Sequence, residues 1–369
     1  MKIGKNDILI ILPLSILLIL GLVMVTSSSI YIADDMTSNP FHFAQRQTLF
    51  VSMGLIAMLI FLVLPSDFLY RTDWVFMLLS IFLLIILFIP DIGTSVNGSI
   101  RWIRIGPINV QPSEICKFSL ILYISGYSVR RMSEINSLRS FLKPLILLFI
   151  ISILIMAQPD LGSTAIVCVL VVGILFYAGI SFSQLTLLIL LISLLGYLAI
   201  TTSPMRLARV LAFTAPFAVD VVQKAGWQLS NSLISIGQGG WLGVGLGNSF
   251  QKSFFLPEAH TDFIFAILVE ELGIIGGLFL IILFVIMLIG LMSVAFESFK
   301  KGRLFQGYTV FGIFLLISMQ TLLNIGVNIG LLPTKGLTLP FISYGGTSII
   351  VMLSLIGIVL RINNENKIL

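Results

Sequence analysis

A short stretch at residues 256–263 holds the side chains best suited to proton transfer. It contains Glu258, His260 and Asp262, and a long apolar run begins directly after it. A carboxylate at the start of a membrane helix is costly unless it is used or neutralised. If the stretch is helical, Glu258 and Asp262 share a face, and their repulsion raises the pKa of one of them while a helix N-terminus lowers it. The pattern predicts an acid/base residue, with a helix cap at Thr261 or Asp262 as the alternative.

Cationic side chains form a second group of candidates. Arg101 and Arg104 stand in an alternating segment that predicts a short extended ribbon at the membrane interface, and guanidinium groups bind phosphate well. Lys117 follows Glu114 by three residues, one turn inside a predicted membrane helix. It either snorkels as the partner of Glu114, or holds a phosphate or a catalytic carboxylate. The sequence leaves both interpretations open.

Two further segments lie where apolar runs are interrupted. Asp160 precedes a predicted helix, where a cap is its expected role and support of a neighbouring site is the alternative. The segment 330–348, which includes Lys335 and Ser343, is almost uncharged and is broken repeatedly by Pro and Gly. Irregular backbone at membrane depth is tolerated only where it is buried or lines a cavity. We therefore expect this segment beside Asp262, with a simple hairpin turn as the alternative.

Other familiar kinds of site are poorly matched. The glycine-rich segment 237–247 lacks the spacing of a dinucleotide-binding loop, so its glycines either bring backbone amides to a phosphate or allow a bent loop. No His or Cys spacing fits zinc, and no metal site is predicted, although a divalent cation bound through other ligands stays open. Glu270 and Glu271 are expected to support the site through polar neighbours rather than to perform chemistry.

The composition is that of an integral membrane protein. Apolar residues make up 58% of the 369 residues and charged residues only 10%, against about 25% charged residues in soluble domains. Since a membrane helix needs roughly 20 apolar residues, the recurring runs predict one all-α domain, residues 1–369, built as a ten-helix transmembrane bundle. The net charge of +5 does not indicate nucleic-acid binding, because no basic tract carries interleaved aromatic residues. The predicted spans are 8–30, 46–64, 73–89, 112–128, 143–157, 162–180, 183–201, 262–294, 304–329 and 343–361.

The positions of Lys and Arg predict the orientation, because basic residues favour short cytoplasmic loops. With the N-terminus inside, the inner segments hold Lys2, Lys5, Arg71, Arg130, Arg131, Arg139, Lys143, Lys300, Lys301, Arg303, Arg361 and Lys367. The short outer loops hold only Arg46, Arg101, Arg104 and Lys335. Both termini are therefore predicted to be cytoplasmic. The one long loop, about 202–261, then lies outside, and we expect it to fold back onto the outer membrane surface.

Several of these segments together resemble the SEDS family of bacterial membrane proteins. The resemblance runs nearly end to end, and it is carried by RWI at 101–103, QPSE at 111–114, QPDLG at 158–162, LPEAHTDFIF at 256–265, LPTKGLTLP at 332–340 and SYGG at 343–346. The 333–340 run is more similar to the family's division members than to its elongation members. The resemblance implies a peptidoglycan glycosyltransferase that polymerises lipid II at the outer face of the cytoplasmic membrane, at the division septum.

The resemblance also implies partners and roles. It places the family's essential aspartate at Asp262, which would accept the proton of a sugar hydroxyl. Lys117, Arg101 and Arg104 would then neutralise the leaving pyrophosphate, and Glu258 or His260 would tune the aspartate. The expected partners are lipid II with the growing glycan chain, a class B penicillin-binding protein transpeptidase, and other membrane proteins of the division complex. Two other functions stay open: a flippase for the lipid-linked precursor, and a non-enzymatic scaffold that recruits the transpeptidase.

Overall fold

Twelve α-helices and a small β-sheet form the part of the chain described by the computed structural model, which covers residues 4–96, 99–106, 108–219 and 221–368. Lys2, which counts toward the predicted orientation, lies outside the described residues. The helices are α1 (Lys5–Thr37), α2 (His42–Val63), α3 (Ser66–Ile86), α4 (Pro112–Arg130), α5 (Leu138–Met156), α6 (Leu161–Tyr177), α7 (Phe182–Thr201), α8 (Pro204–Thr214), α9 (Trp227–Gly239), α10 (Ile264–Lys300), α11 (Leu304–Asn328) and α12 (Gly346–Ile368). The strands are β1 (Gly93–Val96), β2 (Ser99–Ile105) and β3 (Ile108–Val110).

The predicted all-α membrane bundle is confirmed. Within the described ranges, eight helices are long and apolar enough to cross a bilayer, and α6 is a shorter apolar helix. Ten helices, α1–α7 and α10–α12, coincide with the ten predicted segments, while the number of membrane spans stays a prediction. Segment 202–261, expected as a loop, contains α8 and α9. The predicted bounds were also too narrow: α1 reaches Thr37 and α10 reaches Lys300, because both helices continue into their polar flanks.

Helix α12 lies at the centre of the bundle and α7 at its edge. Among the 18 most apolar consecutive residues of each helix, 89% are buried in α12 and 11% in α7. Helix α2 packs directly on α12, since a methyl group at Gly357 would lie only 2.3 Å from the carbonyl oxygen of Met58. The segment that precedes α12 is therefore held against the rigid core of the molecule.

The short sheet forms at one end of the bundle, which we call the sheet end. Strands β1, β2 and β3 pair antiparallel in that order, with Thr94 opposite Trp102 and Arg104 opposite Asn109. The ribbon expected around Arg101 and Arg104 is thus observed as β2. Thr347 of α12 fixes the sheet to the core, because its hydroxyl accepts from the backbone N–H of Gln111 (3.0 Å) and donates to the carbonyl of Asn109 (3.1 Å).

Ion pairs join the two ends of the chain at the opposite end, which we call the terminus end. Asp7 of α1 pairs with Lys367 of α12 and accepts from the amide of Asn363 at 2.5 Å. Glu365 pairs with Arg303, which follows α10. Both termini therefore lie on one side of the bundle, and the assignment of that side to the cytoplasm stays a prediction.

Helix α10 is broken at Gly273, and the glycine-rich segment 237–247 fills the break. Gly273 has a left-handed φ of 74°, so the helix cannot continue its own hydrogen bonds there. The N–H of Ile274 donates to the carbonyl of Gly240 at 2.9 Å, and the N–H of Val244 donates to the carbonyl of Glu270 at 2.9 Å. Of the two roles considered for these glycines, the structure favours close backbone packing over contact with a phosphate.

Candidate active site

Asp262 lies at the sheet end, in the connection that precedes α10, and its backbone is held by side chains of α11. The amides of Asn324 and Asn328 both donate to the carbonyl oxygen of Asp262, at 2.9 and 3.0 Å. Asn328 also accepts from the N–H of Ala266 at 3.1 Å, so it bridges the connection and the first turn of α10. Two amide donors of α11 therefore hold the backbone of Asp262.

The segment 330–345 forms the other wall of the site, as expected. A methyl group at Gly336 would lie 2.9 Å from Oδ2 of Asp262, so the glycine backbone lies directly beside the carboxyl group. The hydroxyl of Ser343 donates to the carbonyl of Thr261 at 2.6 Å and accepts from the N–H of Leu339 at 2.8 Å. Ser343 thus joins the two irregular segments, and the simple hairpin alternative does not describe this region.

The expectation that Glu258 and Asp262 share a helical face is wrong. Residues 256–263 form consecutive turns, and α10 begins only at Ile264 with Phe263 as its N-cap and no side-chain cap. The reason is local: Glu258 has a left-handed φ of 57°, and its carboxylate accepts from the hydroxyl of Thr261 at 2.7 Å. Asp262 is therefore not a helix cap, and its carboxyl group does not serve the helix terminus.

The surroundings of Asp262 make it a weak acid. Burial raises its pKa to about 7, and the negative charges of Glu258 and Asp160 act in the same direction, whereas the positive charges of Arg101 and Arg209 lower it. The residue nevertheless keeps part of its surface exposed. A carboxylate with a pKa near neutral pH and a path to solvent has the properties of a general base.

His260 is buried in an aromatic pocket rather than bonded to Asp262. Its ring lies 4.6 Å from that of Phe43 and 5.8 Å from that of Tyr344. Burial lowers the pKa of His260, although the negative charge of Glu258 raises it. The carbonyl of His260 accepts from the N–H of Tyr344 at 2.9 Å, so this residue also attaches the site to the segment before α12.

Asp160 and Arg101 lie close together beside the site. Asp160 caps α6, as expected: its two carboxylate oxygens accept from the N–H and the hydroxyl of Ser163, at 3.0 and 2.7 Å. Arg101 donates to the carbonyls of Gln158 and Pro159, at 3.3 and 2.6 Å. Both side chains also act on Asp262 through their charges. The cap role and the supporting role proposed for Asp160 are therefore compatible.

The remaining predicted cations differ in their availability. Lys117 pairs with Glu114 at 2.5 Å, as one of the two interpretations expected, but it is fully buried and does not snorkel to the surface. Arg104 is exposed on β2. Lys335 is half-buried, forms no ion pair within the described residues, and burial lowers its pKa. Lys335 is thus the cation whose environment would gain most from an anionic ligand.

Several residues of the site were missed from the sequence. Asn324 and Asn328 are polar residues four positions apart in an apolar helix, and this spacing was a usable signal for a shared face. Arg209 lies in α8, within the segment expected to be a loop. Lys252 is also buried, and it pairs with Glu271 at 2.7 Å. No local sequence pattern connects Lys252 with its partner.

The two glutamates of α10 support the structure, as expected. Glu270 accepts from the hydroxyls of Ser235 and Ser249, at 2.5 and 2.6 Å, which links α10 to α9 and to the connection after it. A cavity of about 600 Å³ opens nearby along α1 and reaches Lys252, away from Asp262. Within the described ranges, no group of three or more His, Cys, Asp or Glu side chains is arranged to hold a metal ion.

Comparison with known proteins identifies the family. The family model described as "Cell cycle protein", which covers FtsW, RodA and SpoVE, matches residues 7–368. The chain belongs to this family, the SEDS family of integral membrane proteins. The predicted resemblance is thereby confirmed.

The relatives of this chain include several proteins named FtsW. The chain is 43% identical over 353 residues to the probable peptidoglycan glycosyltransferase FtsW of Legionella pneumophila, covering 95% of this chain and 89% of the relative. It is 42% identical to the protein of the same name from Hahella chejuensis, covering 94% and 87% of the two chains.

Solved structures show the same fold. A chain from a peptidoglycan synthase complex that coordinates polymerization and crosslinking aligns with a TM-score of 0.77 at 24% identity, over 96% of this chain and 97% of that one. The rod shape determining protein RodA of Thermus thermophilus aligns with a TM-score of 0.70 at 23% identity, over 96% of both chains.

Proposed function

We propose that this protein is a peptidoglycan glycosyltransferase that polymerises lipid II into glycan strands for septal wall synthesis. The observation that carries the proposal is Asp262, a partly exposed residue whose backbone carbonyl accepts from Asn324 and Asn328. Its carboxyl group lies beside Gly336 and has a pKa of about 7. The names of the relatives give the same activity. A lipid-linked sugar would reach this site from the membrane, since the site lies at one end of the bundle.

The proposed reaction uses Asp262 as the general base. A sugar hydroxyl of one substrate attacks the anomeric carbon of the other, and Asp262 accepts the hydroxyl proton as the new glycosidic bond forms. The bond between the anomeric carbon and the pyrophosphate oxygen breaks, and undecaprenyl pyrophosphate leaves with the bonding electrons. General-base assistance of this kind contributes about 10²–10⁴-fold to a rate.

The leaving pyrophosphate needs cations, and the structure ranks the candidates. Lys335 has no carboxylate partner among the described residues, and a bound anion would reverse the effect of its burial. Arg101 keeps guanidinium nitrogens free after donating to two backbone carbonyls. Lys117 could serve only after release from Glu114. We therefore propose Lys335 and Arg101 as the first contacts of the pyrophosphate, with Arg104 and Lys117 behind them.

The setting of the reaction is also part of the proposal. The sheet end would face the outside of the cytoplasmic membrane, and both termini would face the cytoplasm, as the basic residues predict. The partner would be a class B penicillin-binding protein that crosslinks the new strands, together with other membrane proteins of the division complex. The solved synthase complex named for both polymerization and crosslinking supports a partner of this kind.

Polymerisation of labelled lipid II by the purified protein in detergent tests the proposal. Asp262→Asn keeps the shape of the side chain and removes the base, so the rate should fall by about 10²–10⁴-fold. Asp35→Asn is the matched control, because it makes the same change at an exposed carboxylate of α1. Detergent leaves no second compartment, so a flippase would yield no polymer. Full activity of Asp262→Asn would refute the role of the aspartate.

A further inference from the structure

A separate cluster of charged and aromatic side chains lies at the terminus end, far from Asp262. Arg130, the last residue of α4, donates to the carboxylate of Asp73 on α3 at 2.7 Å. Its guanidinium group lies 5.5 Å from the ring centre of Tyr70 and 6.0 Å from that of Tyr123. Helix α4 carries Glu114 near its other end, about 24 Å away at 1.5 Å per residue. Nothing in the proposed reaction uses this cluster.

Asp73 is buried with half of its carboxylate unpartnered. Its side chain is only 1% exposed. The N–H of Trp74 lies near the carboxylate, but Oδ1 has no hydrogen bond of good geometry among the described residues. The approach to α4 depends on Gly126, because a methyl group there would lie 1.9 Å from Oδ2 of Asp73. A buried carboxylate oxygen without a donor is costly. The absence of a side chain at Gly126 therefore lets this carboxylate lie against α4, where its Oδ1 atom lacks a hydrogen-bond partner.

These residues line an open pocket that has the composition of a headgroup site. The pocket has a volume of about 420 Å³ and is lined by Tyr70, Arg71, Asp73, Trp74, Tyr123 and Arg130. Tyr and Trp are characteristic of the interface between lipid and water. Beyond the pocket, α3 exposes the apolar side chains of Val75, Leu78 and Phe82 along its length. A ligand with a polar head in the pocket and chains along α3 would match both surfaces.

We propose that this pocket binds the headgroup of a phospholipid that combines a phosphodiester with a primary ammonium group, as in phosphatidylethanolamine. The phosphate would accept from Arg71, an exposed residue whose side chain forms no ion pair within the described residues. It would also accept from the guanidinium nitrogens of Arg130 that do not contact Asp73. The ammonium group would donate to Oδ1 of Asp73.

The chemistry distinguishes this ligand from its relatives. Phosphatidylcholine has the same phosphate and the same net charge, but its methylated ammonium has no N–H to donate. Phosphatidylglycerol has the phosphate and no ammonium. The carboxylate of Asp73 attracts the charge of phosphatidylcholine without accepting a hydrogen bond from it, and it can accept only from neutral hydroxyls of phosphatidylglycerol. A primary ammonium adds a charge-assisted hydrogen bond to the same oxygen, which is worth roughly tenfold in affinity.

Native mass spectrometry of the purified protein in detergent, titrated with the three lipids of matched chains, tests the proposal. The wild-type protein should bind phosphatidylethanolamine about tenfold more tightly than phosphatidylcholine or phosphatidylglycerol. Asp73→Asn should remove this preference. Arg71→Gln should weaken all three lipids, because they share the phosphate. Arg139→Gln is the matched control, since Arg139 is an exposed arginine of α5 outside the pocket.

Several results of these titrations would overturn the proposal. Equal binding of phosphatidylethanolamine and phosphatidylcholine by the wild-type protein would overturn the proposal, as would preferential binding of phosphatidylglycerol. Unchanged lipid binding by Arg71→Gln would overturn it as well. Soluble phosphoethanolamine that competes as strongly as the intact lipid would show a free-metabolite site instead of a lipid site. If Asp73→Asn does not fold, the wild-type lipid contrast and Arg71→Gln decide on their own.

Discussion

The pH dependence of glycan polymerisation tests the role of Asp262 most directly. A general base works only in its ionised form, and a pKa of about 7 leaves about one-tenth of the molecules ionised at pH 6 and about nine-tenths at pH 8. The rate at pH 6 should therefore be about one-tenth of the rate at pH 8. An aspartate with the ordinary pKa of 3.8 would give an almost constant rate over this interval.

Two variants shift this profile in opposite directions. Glu258→Gln removes a negative charge that raises the pKa of Asp262, so the acid limb should move to lower pH. Arg209→Gln removes a positive charge that lowers the same pKa, so the limb should move to higher pH. The assay is the initial rate of polymerisation of labelled lipid II between pH 5.5 and 8.5 at constant ionic strength. Opposite shifts cannot arise from a general loss of folded protein.

Two results would refute this reasoning. One is a wild-type rate that stays constant across the interval, since the base would then titrate elsewhere. The other is a shift of both variants in the same direction, because the two charges have opposite signs. A shift of the limb in Arg209→Gln alone would leave Glu258 without the influence assigned to it and would contradict the position of its carboxylate near Asp262.

The same pKa predicts a slope in stability. The folded protein keeps the proton of Asp262 up to about pH 7, whereas the unfolded chain releases it near 3.8, so the free energy of unfolding falls as the pH rises between these values. A shift of about three units corresponds to at most about 4 kcal/mol, and the partial exposure of the residue makes the effect smaller. Relative to the wild type, Asp262→Asn should raise Tm at pH 8 and not at pH 4.

Three further variants test how the site is built. Gly336→Ala should reduce polymerisation at least tenfold with little change in Tm, because its methyl group would lie 2.9 Å from the Asp262 carboxylate; Gly196→Ala, which meets no neighbour, is the control. Asn328→Ala should lower the free energy of unfolding by about 1–3 kcal/mol and slow polymerisation, since buried carbonyl and N–H groups lose a partner. Gly273→Ala should cost more than the about 1–3 kcal/mol of its left-handed φ, because the added methyl group would also lie 2.2 Å from the carbonyl oxygen of Trp241. Thermal unfolding measures this, and an unchanged Tm would argue against the break in α10.

The parts of the site that the sequence reveals are those where a polar residue interrupts an apolar run. Asp262 and the segment 330–348 stand out in this way, because both carry groups that a membrane helix tolerates badly. Asp160 was predicted as a helix cap because it directly precedes an apolar helix, and its carboxylate accepts from the N–H of Ser163 in that role. Contacts of this kind lie within a few residues and follow from the chemistry of the side chain.

The parts that the sequence conceals depend on distant segments. The shared face of Glu258 and Asp262 assumed a helix, but the left-handed conformation of Glu258 replaces that helix with turns. The partners of Glu271 include Ser27 and Lys252, which lie 244 and 19 positions away, so periodicity carries no information about them.

The site is assembled from two irregular segments, and its supporting residues follow from that fact. A carboxyl group on a regular membrane helix would lie on the surface of that helix. The connections 256–263 and 330–345 instead place the carboxyl group of Asp262 beside the backbone of Gly336. Irregular backbone within a bundle must be satisfied by other groups. Asn324, Asn328 and Ser343 do this for the connections, and the glycine-rich segment does it for the break at Gly273. Asn324 and Asn328 of α11 therefore hold the backbone of the proposed base, and changes to them should affect Asp262 without touching the substrate.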